Sequence, residues 1–264
     1  MINVIASILI AVASLIPVVS IQAASRLNVI VLFDISSSRS EQDLRMSVNA
    51  LHETLNALGT KDRIQVFPID AASETRSQRL FSEDFRNSSF ALKSDGFANA
   101  GKKAKERMKK HLDSRWLEIE KSISGMYRNG RTAHTAEQTD ILGALKLAAT
   151  QTENTNTSLW QSLTGYRTHN VVLLFSDMVN ETPQADFKKS FQVQPSIQRL
   201  LACKDIPGLS GCTVIVCGAT TDSKIQYDKI RSFWQQYFGL SKAALRAYGY
   251  DTAEDIKQEF LRMQ

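Results

Sequence analysis

The sequence lacks the short motifs by which the commonest enzyme classes are recognised. It has no Gly-x-Ser-x-Gly element of a serine hydrolase, no phosphate-binding glycine loop and no dinucleotide-binding glycine pattern. The stretch HETLN at 52–56 has Asn56 where a zinc protease would have its second histidine. Asp34 is followed two residues later by Ser36, where a phosphatase of the aspartate type would need a second carboxylate. We therefore expect a protein that is not an enzyme, with a hydrolase as the less favoured alternative.

Cysteine is scarce, and its three copies bear on the compartment. Cys203 and Cys212 bracket the short loop KDIPGLSG, whose Pro and Gly can return one cysteine towards the other. A Cys203–Cys212 disulfide would suit an exported protein, and we predict one, with two free thiols as the alternative. Cys217 lies in the apolar run TVIVCGA and is expected to be a small buried side chain.

Charge is missing from the N-terminus, where no charged side chain precedes Arg26 and the apolar stretch reaches about Val19. Small residues follow at Ala23 and Ala24. This pattern predicts that residues 1–24 are a signal peptide of a periplasmic or secreted protein. The alternatives are a membrane anchor over residues 2–24 and a buried structural helix. Residues 25–264 are then expected to form one domain.

The net charge of +5 comes from one segment. Residues 101–131 hold ten Lys or Arg against four Asp or Glu, so this segment carries +6 and the rest of the chain −1. A basic segment with helical character is usually a solvated helix face. We therefore do not expect nucleic-acid binding, and any membrane contact is expected through the N-terminal segment.

Apolar strand-like runs alternate with amphipathic helical stretches along the rest of the chain, which is typical of an α/β protein with a parallel sheet. Strands are predicted at 28–34, 62–70, 77–85, 170–177 and 212–219, the third being a short edge strand. Helices are predicted after Ser40, up to about Ser124, over 139–150 and over 227–240, with a final strand and helix in the tail. The runs at 28–34 and 170–177 are continuously apolar, as expected for central strands covered on both faces.

Polar oxygens follow two of these strands and open one helix. Asp34, Ser36 and Ser38 end the first strand, Asp177 ends the strand at 170–177, and Thr139 begins a helix. In an open parallel sheet the ligand crevice lies at the carboxyl ends of the strands, where the strand order reverses. Hard oxygen donors favour Mg²⁺, with Mn²⁺ or Ca²⁺ as alternatives, over zinc or copper. The alternative is that Asp34 and the serines only cap the next helix.

This pattern resembles the von Willebrand factor type A (vWA) domain of exported bacterial proteins. The resemblance rests on Asp34-x-Ser36-x-Ser38, on Thr139 in TDILGAL and on Asp177 in VVLLFSD, and it covers residues 27–240. It implies a Rossmann-like, doubly wound sheet, mostly parallel, with one antiparallel edge strand and helices on both faces.

The resemblance also implies a metal-ion-dependent adhesion site. In such a site Ser36, Ser38 and Thr139 contact the metal through their hydroxyls, while Asp34 and Asp177 act through water and hydrogen bonds. The metal then attracts an Asp or Glu carboxylate of a protein partner. The sequence departs from the family at Ser37 and Met178, where glycine is frequent, and Asp140 is expected to be only a helix-start charge.

The function that follows is a metal-dependent protein interaction module for adhesion or assembly. The alternative is a scaffold subunit of an envelope or membrane complex that needs no metal. In that case its contacts would come from the basic helix at 101–124.

Overall fold

The computed structural model describes residues 24–36, 39–75, 79–87, 100–132, 138–152, 166–189, 191–251 and 253–263. The predicted signal peptide or anchor therefore lies outside the described residues, apart from Ala24, and so do Ser37 and Ser38. Within the described ranges, no helix is long and apolar enough to cross a membrane.

The strands form a six-stranded mixed sheet and a small hairpin. In chain order they are β1 (Ala24–Asp34), β2 (Arg63–Ile69), β3 (Phe81–Asp84), β4 (Tyr166–Phe175), β5 (Glu181–Thr182), β6 (Ala185–Asp186), β7 (Cys212–Cys217) and β8 (Ala244–Gly249). The large sheet has the order β3-β2-β1-β4-β7-β8, and β5 pairs with β6 alone. Only β3 is antiparallel to its neighbour in the large sheet, so the predicted Rossmann-like sheet with one antiparallel edge strand is confirmed.

The described helices are α1 (Glu41–Ala57), α2 (Ala100–Thr132), α3 (Ile141–Gln151), α4 (Val193–Ala202), α5 (Lys224–Leu240) and α6 (Ala253–Met263). Helix α2 continues beyond Ser124, because its apolar positions recur at Ile123 and Tyr127 and stay buried. Helix α4 was not predicted. It begins at Gln192 without a side-chain cap, so the sequence shows no start signal. Pro195 lies in its first turn, where a helix tolerates proline, but in the sequence a proline usually indicates that a helix ends.

The helices cover the two faces of the sheet. Val31 and Phe33 of β1 share a core with α1, α2 and α6, whereas Ile30 and Leu32 share a core with α3, α4 and α5. Successive side chains of a strand point to opposite faces, so a strand covered on both sides must be apolar throughout. This explains the unbroken apolar run of β1.

The strand order reverses beside β1. The chain passes from β1 to β2 on one side, and after β3 it returns to place β4 on the other side. The carboxyl ends of β1 and β4 therefore flank the switch point, which is where open α/β sheets bind ligands. Asp34 ends β1, and Asp177 lies two residues beyond the end of β4.

Candidate functional site at the carboxyl end of the sheet

Asp34 is a fully buried carboxylate, with both oxygens engaged in hydrogen bonds. Its Oδ1 accepts a bond from the backbone N–H of Ser36 at 2.9 Å, and its Oδ2 accepts one from the hydroxyl of Ser176 at 2.7 Å. Ser36 is itself 1% exposed. These bonds fix the start of the loop after β1 and link it to the end of β4. Asp34 thus orients its neighbours by hydrogen bonding.

Asp177 lies in a tight turn directly after β4. Its Oδ1 accepts a hydrogen bond from the N–H of Val179 at 2.8 Å. The next residue, Met178, has φ of 68°, the left-handed region that glycine adopts most easily. Its side chain is fully buried, and Trp234 donates a 3.0 Å hydrogen bond to its carbonyl. The turn therefore keeps the backbone shape of a glycine position although methionine occupies it.

The segment Thr139-Asp140 is held at the same end of the sheet by two backbone hydrogen bonds. The N–H of Asp140 donates to the carbonyl of Asp70 at 3.0 Å, and Asp70 directly follows Ile69, the strand partner of Asp34. The carbonyl of Thr139 accepts from the N–H of Glu181 at 2.9 Å. The segments carrying Asp34, Thr139 and Asp177 are thus gathered at the carboxyl ends of β1, β2 and β4, whereas Ser38 lies outside the described residues.

Asp140 caps helix α3. Its carboxylate accepts a 2.7 Å hydrogen bond from the N–H of Gly143, and burial raises its pKa. The Asn180 side chain accepts two further bonds, from the N–H groups of Ile141 at 3.0 Å and Leu142 at 3.3 Å. Asp140 is therefore a helix-start residue, as the sequence predicted.

Arg39 is a buried cation that sequence reasoning missed. The residue is 3% exposed. Its guanidinium donates to the carbonyls of Asp34 at 3.4 Å and Phe175 at 3.2 Å. It also donates to the carbonyl of Asp43 at 3.0 Å and the hydroxyl of Ser47 at 2.7 Å. Arg39 therefore joins the carboxyl ends of β1 and β4 to α1 and adds a positive charge beside the site.

Glu181 is a second site residue that no sequence pattern marks. Its side chain is 8% exposed, and its carboxylate lies 3.5 Å from the hydroxyl of Thr139 and 2.8 Å from the ammonium of Lys188. The only sequence signal is a carboxylate four residues after Asp177, which is too common a feature to single out.

The available donors are hard oxygens. The described residues contain no group of three or more His, Cys, Asp or Glu side chains that could hold a metal. Any cation at Asp34 would therefore depend on hydroxyl oxygens, among them those of Ser36 and Thr139, two residues that are fully buried within the fold. Hydroxyl and carboxylate oxygens suit Mg²⁺, Mn²⁺ or Ca²⁺ by their chemistry.

The cysteines are free thiols in this structure. Cys203 is exposed at the end of α4, and Cys212 is buried at the start of β7, where burial raises the pKa of its thiol to about 11. Cys217 is buried in the sheet, as its apolar context predicted. The Cys203–Cys212 disulfide stays a prediction.

The basic segment forms the outer side of α2. The helix packs on the core through a seam made of Ala104, Met108, Leu112, Ile119, Ile123 and Tyr127. Lys102, Lys103 and Lys109 are exposed. The lysines therefore lie on the face turned away from the core, as in a solvated helix.

Comparison with solved structures gives distant likenesses. No family model matches the chain, and no curated protein matches it. The chain is similar to proximal thread matrix protein 1 from the mussel byssus at 17% identity and a TM-score of 0.39, covering 92% of this chain and 48% of that one. It is also similar to the TFIIH p34 N-terminal domain at 13% identity and a TM-score of 0.42, covering 91% and 98%. The chain thus spans about half the length of the mussel protein.

Proposed function

We propose that this protein is a metal-dependent protein interaction module of the vWA type. Ser36, Ser38 and Thr139 would hold a divalent cation, Mg²⁺ first among them, with Asp34 and Asp177 as outer carboxylates. An Asp or Glu side chain of a partner protein would complete the site. Residues 1–24 would direct the module out of the cytoplasm or anchor it in a membrane.

The observation that carries this proposal is the environment of Asp34. It lies at the switch point of the sheet, buried, with one oxygen bonded to the N–H of Ser36 and the other to the hydroxyl of Ser176. A carboxylate engaged in this way orients neighbouring donors, so direct metal contacts fall to the hydroxyls. The alternative of a simple helix cap is less well supported, because Ser40, not Asp34, caps α1.

The charges at the site favour an acidic partner. Two carboxylates, Asp34 and Asp177, are opposed by the buried guanidinium of Arg39, which lies 3.4 Å from the carbonyl of Asp34. A bound divalent cation would keep part of its positive charge, because these groups together do not neutralise it fully. A carboxylate from outside would therefore be attracted to it, as hard cations prefer oxygen anions.

Calorimetry with Mg²⁺ tests the proposal. The wild-type chain is expected to bind Mg²⁺, and Ser36→Ala is expected to bind it at least about tenfold more weakly, because removing a coordinated ligand or its support typically costs 10–100-fold. Ser114→Ala is the matched control, since that serine is exposed on α2 and its hydroxyl donates within its own helix to the carbonyl of His111. Unchanged affinity in Ser36→Ala, or no binding of Mg²⁺, Mn²⁺ or Ca²⁺ by the wild type, would overturn the proposal.

A metal-independent scaffold is the second candidate, supported by the exposed lysines of α2. Charge reversal at Lys102, Lys103 and Lys109 would abolish partner binding in that case, and chelation would leave it intact. The metal-dependent proposal expects the opposite pattern. Nucleic acid on the same helix would be revealed by a steep loss of binding with added salt.

A further inference from the structure

We infer that Glu181 is a positioning residue for the proposed cation site and that its ion pair with Lys188 sets how strongly the site attracts a cation. This inference rests on the proposed function. It concerns two residues that lie outside the Asp-x-Ser-x-Ser, Thr and Asp pattern.

Glu181 is held beside Thr139 by a backbone hydrogen bond, and its side chain lies near the Thr139 hydroxyl. Its N–H donates to the carbonyl of Thr139 at 2.9 Å, and its carboxylate oxygen Oε1 lies 3.5 Å from the Thr139 hydroxyl oxygen. A threonine hydroxyl has one proton to donate and two lone pairs. When the proton is directed to Glu181, the lone pairs point elsewhere and can face a cation. Outer carboxylates commonly orient metal ligands in this way.

Lys188 neutralises this carboxylate. Its ammonium lies 2.8 Å from Oε1 of Glu181, and its side chain is 52% exposed while that of Glu181 is 8% exposed. Without Lys188, a buried carboxylate next to Thr139 would carry an uncompensated negative charge. That charge would attract a divalent cation, and low solvent access would leave the attraction poorly screened.

The neighbouring residue provides a matched control. Lys189 is also a lysine of the segment after β6, but it pairs with Asp186 at 3.0 Å and is 83% exposed. Removing its charge changes the net charge of the protein by the same amount as removing that of Lys188. Of these two lysines, Lys188 forms its ion pair with Glu181, whereas Lys189 forms its ion pair with Asp186.

The test is a double-mutant cycle on the full chain, with Mg²⁺ affinity measured by calorimetry. We expect Lys188→Met to bind Mg²⁺ about three- to tenfold more tightly and Glu181→Gln to bind it more weakly by a similar factor, the size of coupling usual for contacting charges. In the Glu181→Gln background, Lys188→Met should change the Mg²⁺ affinity by less than about twofold, because the carboxylate charge that Lys188 neutralises in the wild type is no longer present. Lys189→Met should match the wild type.

The Tm measured without a divalent cation is a second readout. It distinguishes the proposed effect of Lys188 on cation binding from a purely structural role. Lys188→Met leaves a buried carboxylate unpaired and should lower the Tm. A lower Tm together with tighter Mg²⁺ binding is the expected combination, whereas a structural defect would weaken both. Glu181→Gln keeps an oxygen that can accept from Thr139, so a folded protein is expected.

The two proposals fail differently. If Ser36→Ala loses Mg²⁺ while Lys188→Met binds it no more tightly than Lys189→Met, the inference is wrong and the proposed function stands. If the wild type binds no divalent cation, both are wrong.

Discussion

The hydroxyl of Ser176 donates a 2.7 Å hydrogen bond to the carboxylate of Asp34, joining two residues that are 142 positions apart in the chain. The same Ser176 oxygen accepts the N–H of Met178 at 3.0 Å. One side chain therefore connects the end of β1 to the turn after β4, at the point where the strand order reverses. The shape of the candidate site depends on this contact.

Ser176→Ala should therefore destabilise the protein. The change leaves a buried carboxylate oxygen and a buried N–H without their partner, which costs about 1–3 kcal/mol of unfolding free energy. Urea unfolding measures the loss, and Ser114→Ala on the exposed side of α2 should stay within about 0.5 kcal/mol of the wild type. Equal stability of the two variants would show that Ser176 does not hold the site together.

Arg39→Lys should cost far more than its conservative appearance suggests. The planar guanidinium reaches the carbonyls of Asp34, Phe175 and Asp43, and an ammonium cannot satisfy all three from one nitrogen. Buried groups left unpaired should lower the unfolding free energy by about 2–4 kcal/mol. Arg45→Lys, on the helix that follows Arg39, is the control, because Arg45 is exposed and its ion pair among the described residues is with Glu41. A loss no larger than in that control would contradict the assignment.

Gly143→Ala should destabilise the protein, although alanine is the better helix former by about 1 kcal/mol. A Cβ at position 143 would lie 2.1 Å from the capping carboxylate of Asp140, so the cap would have to move. Thermal unfolding should show the loss in the wild-type background. In an Asp140→Ala background the clash is absent, and Gly143→Ala should then raise the Tm. Stabilisation in both backgrounds would rule out the clash.

Tyr250→Phe should weaken a pH-dependent contribution to stability. Burial opposes a low pKa at Asp43, but hydrogen bonds from Ser40 and Tyr250 outweigh it and hold this pKa below its ordinary value of 3.8. A carboxylate with a lowered pKa stabilises the fold above 3.8, and this stabilisation is lost as the pH falls through its folded pKa. The stability gap between wild type and Tyr250→Phe should therefore be present at neutral pH and narrow in acid.

Urea unfolding at a series of pH values measures this gap. Tyr237→Phe is the control, because the buried hydroxyl of Tyr237 has no hydrogen-bond partner among the described residues. Its effect on stability should be the same at neutral and acidic pH. A Tyr250→Phe gap that is equally constant would contradict the role assigned to the contact with Asp43.

Alkylation with iodoacetamide distinguishes free cysteines from the predicted disulfide. As free thiols, Cys203 should react quickly because it is exposed, and Cys212 should resist because burial raises its pKa to about 11. Peptide mass spectrometry identifies the labelled residue. Protection of both cysteines that ends when a reductant is added would instead establish the Cys203–Cys212 bond.

Much of the fold could be predicted because its signals are local. The apolar run that ends at Asp34 and the Ser40–Asp43 capping box, whose two reciprocal bonds measure 3.1 and 3.2 Å, involve neighbours in the sequence. Helix α4 escaped prediction because no such local signal marks its start at Val193.

The contacts of the candidate site could be predicted only in part. The carboxyl end of β1 and the start of α3 are visible as polar residues after or before regular patterns. Arg39, Ser176 and Glu181 carry no such mark, because what distinguishes each is a partner far away in the chain. A hydrogen bond across 42 or 142 residues leaves no periodicity to detect.

The amino-acid sequence by itself determined the alternation of strands and helices and the chemistry of the oxygen donors, since backbone periodicity and side-chain type are local properties. The tertiary structure alone decided that β4 lies beside β1, that Arg39 is buried at the carboxyl ends of both strands and that Glu181 contacts Thr139. The reason is that strand order depends on how the helices cover both faces of the sheet at once. That is a property of the whole chain and of no single segment.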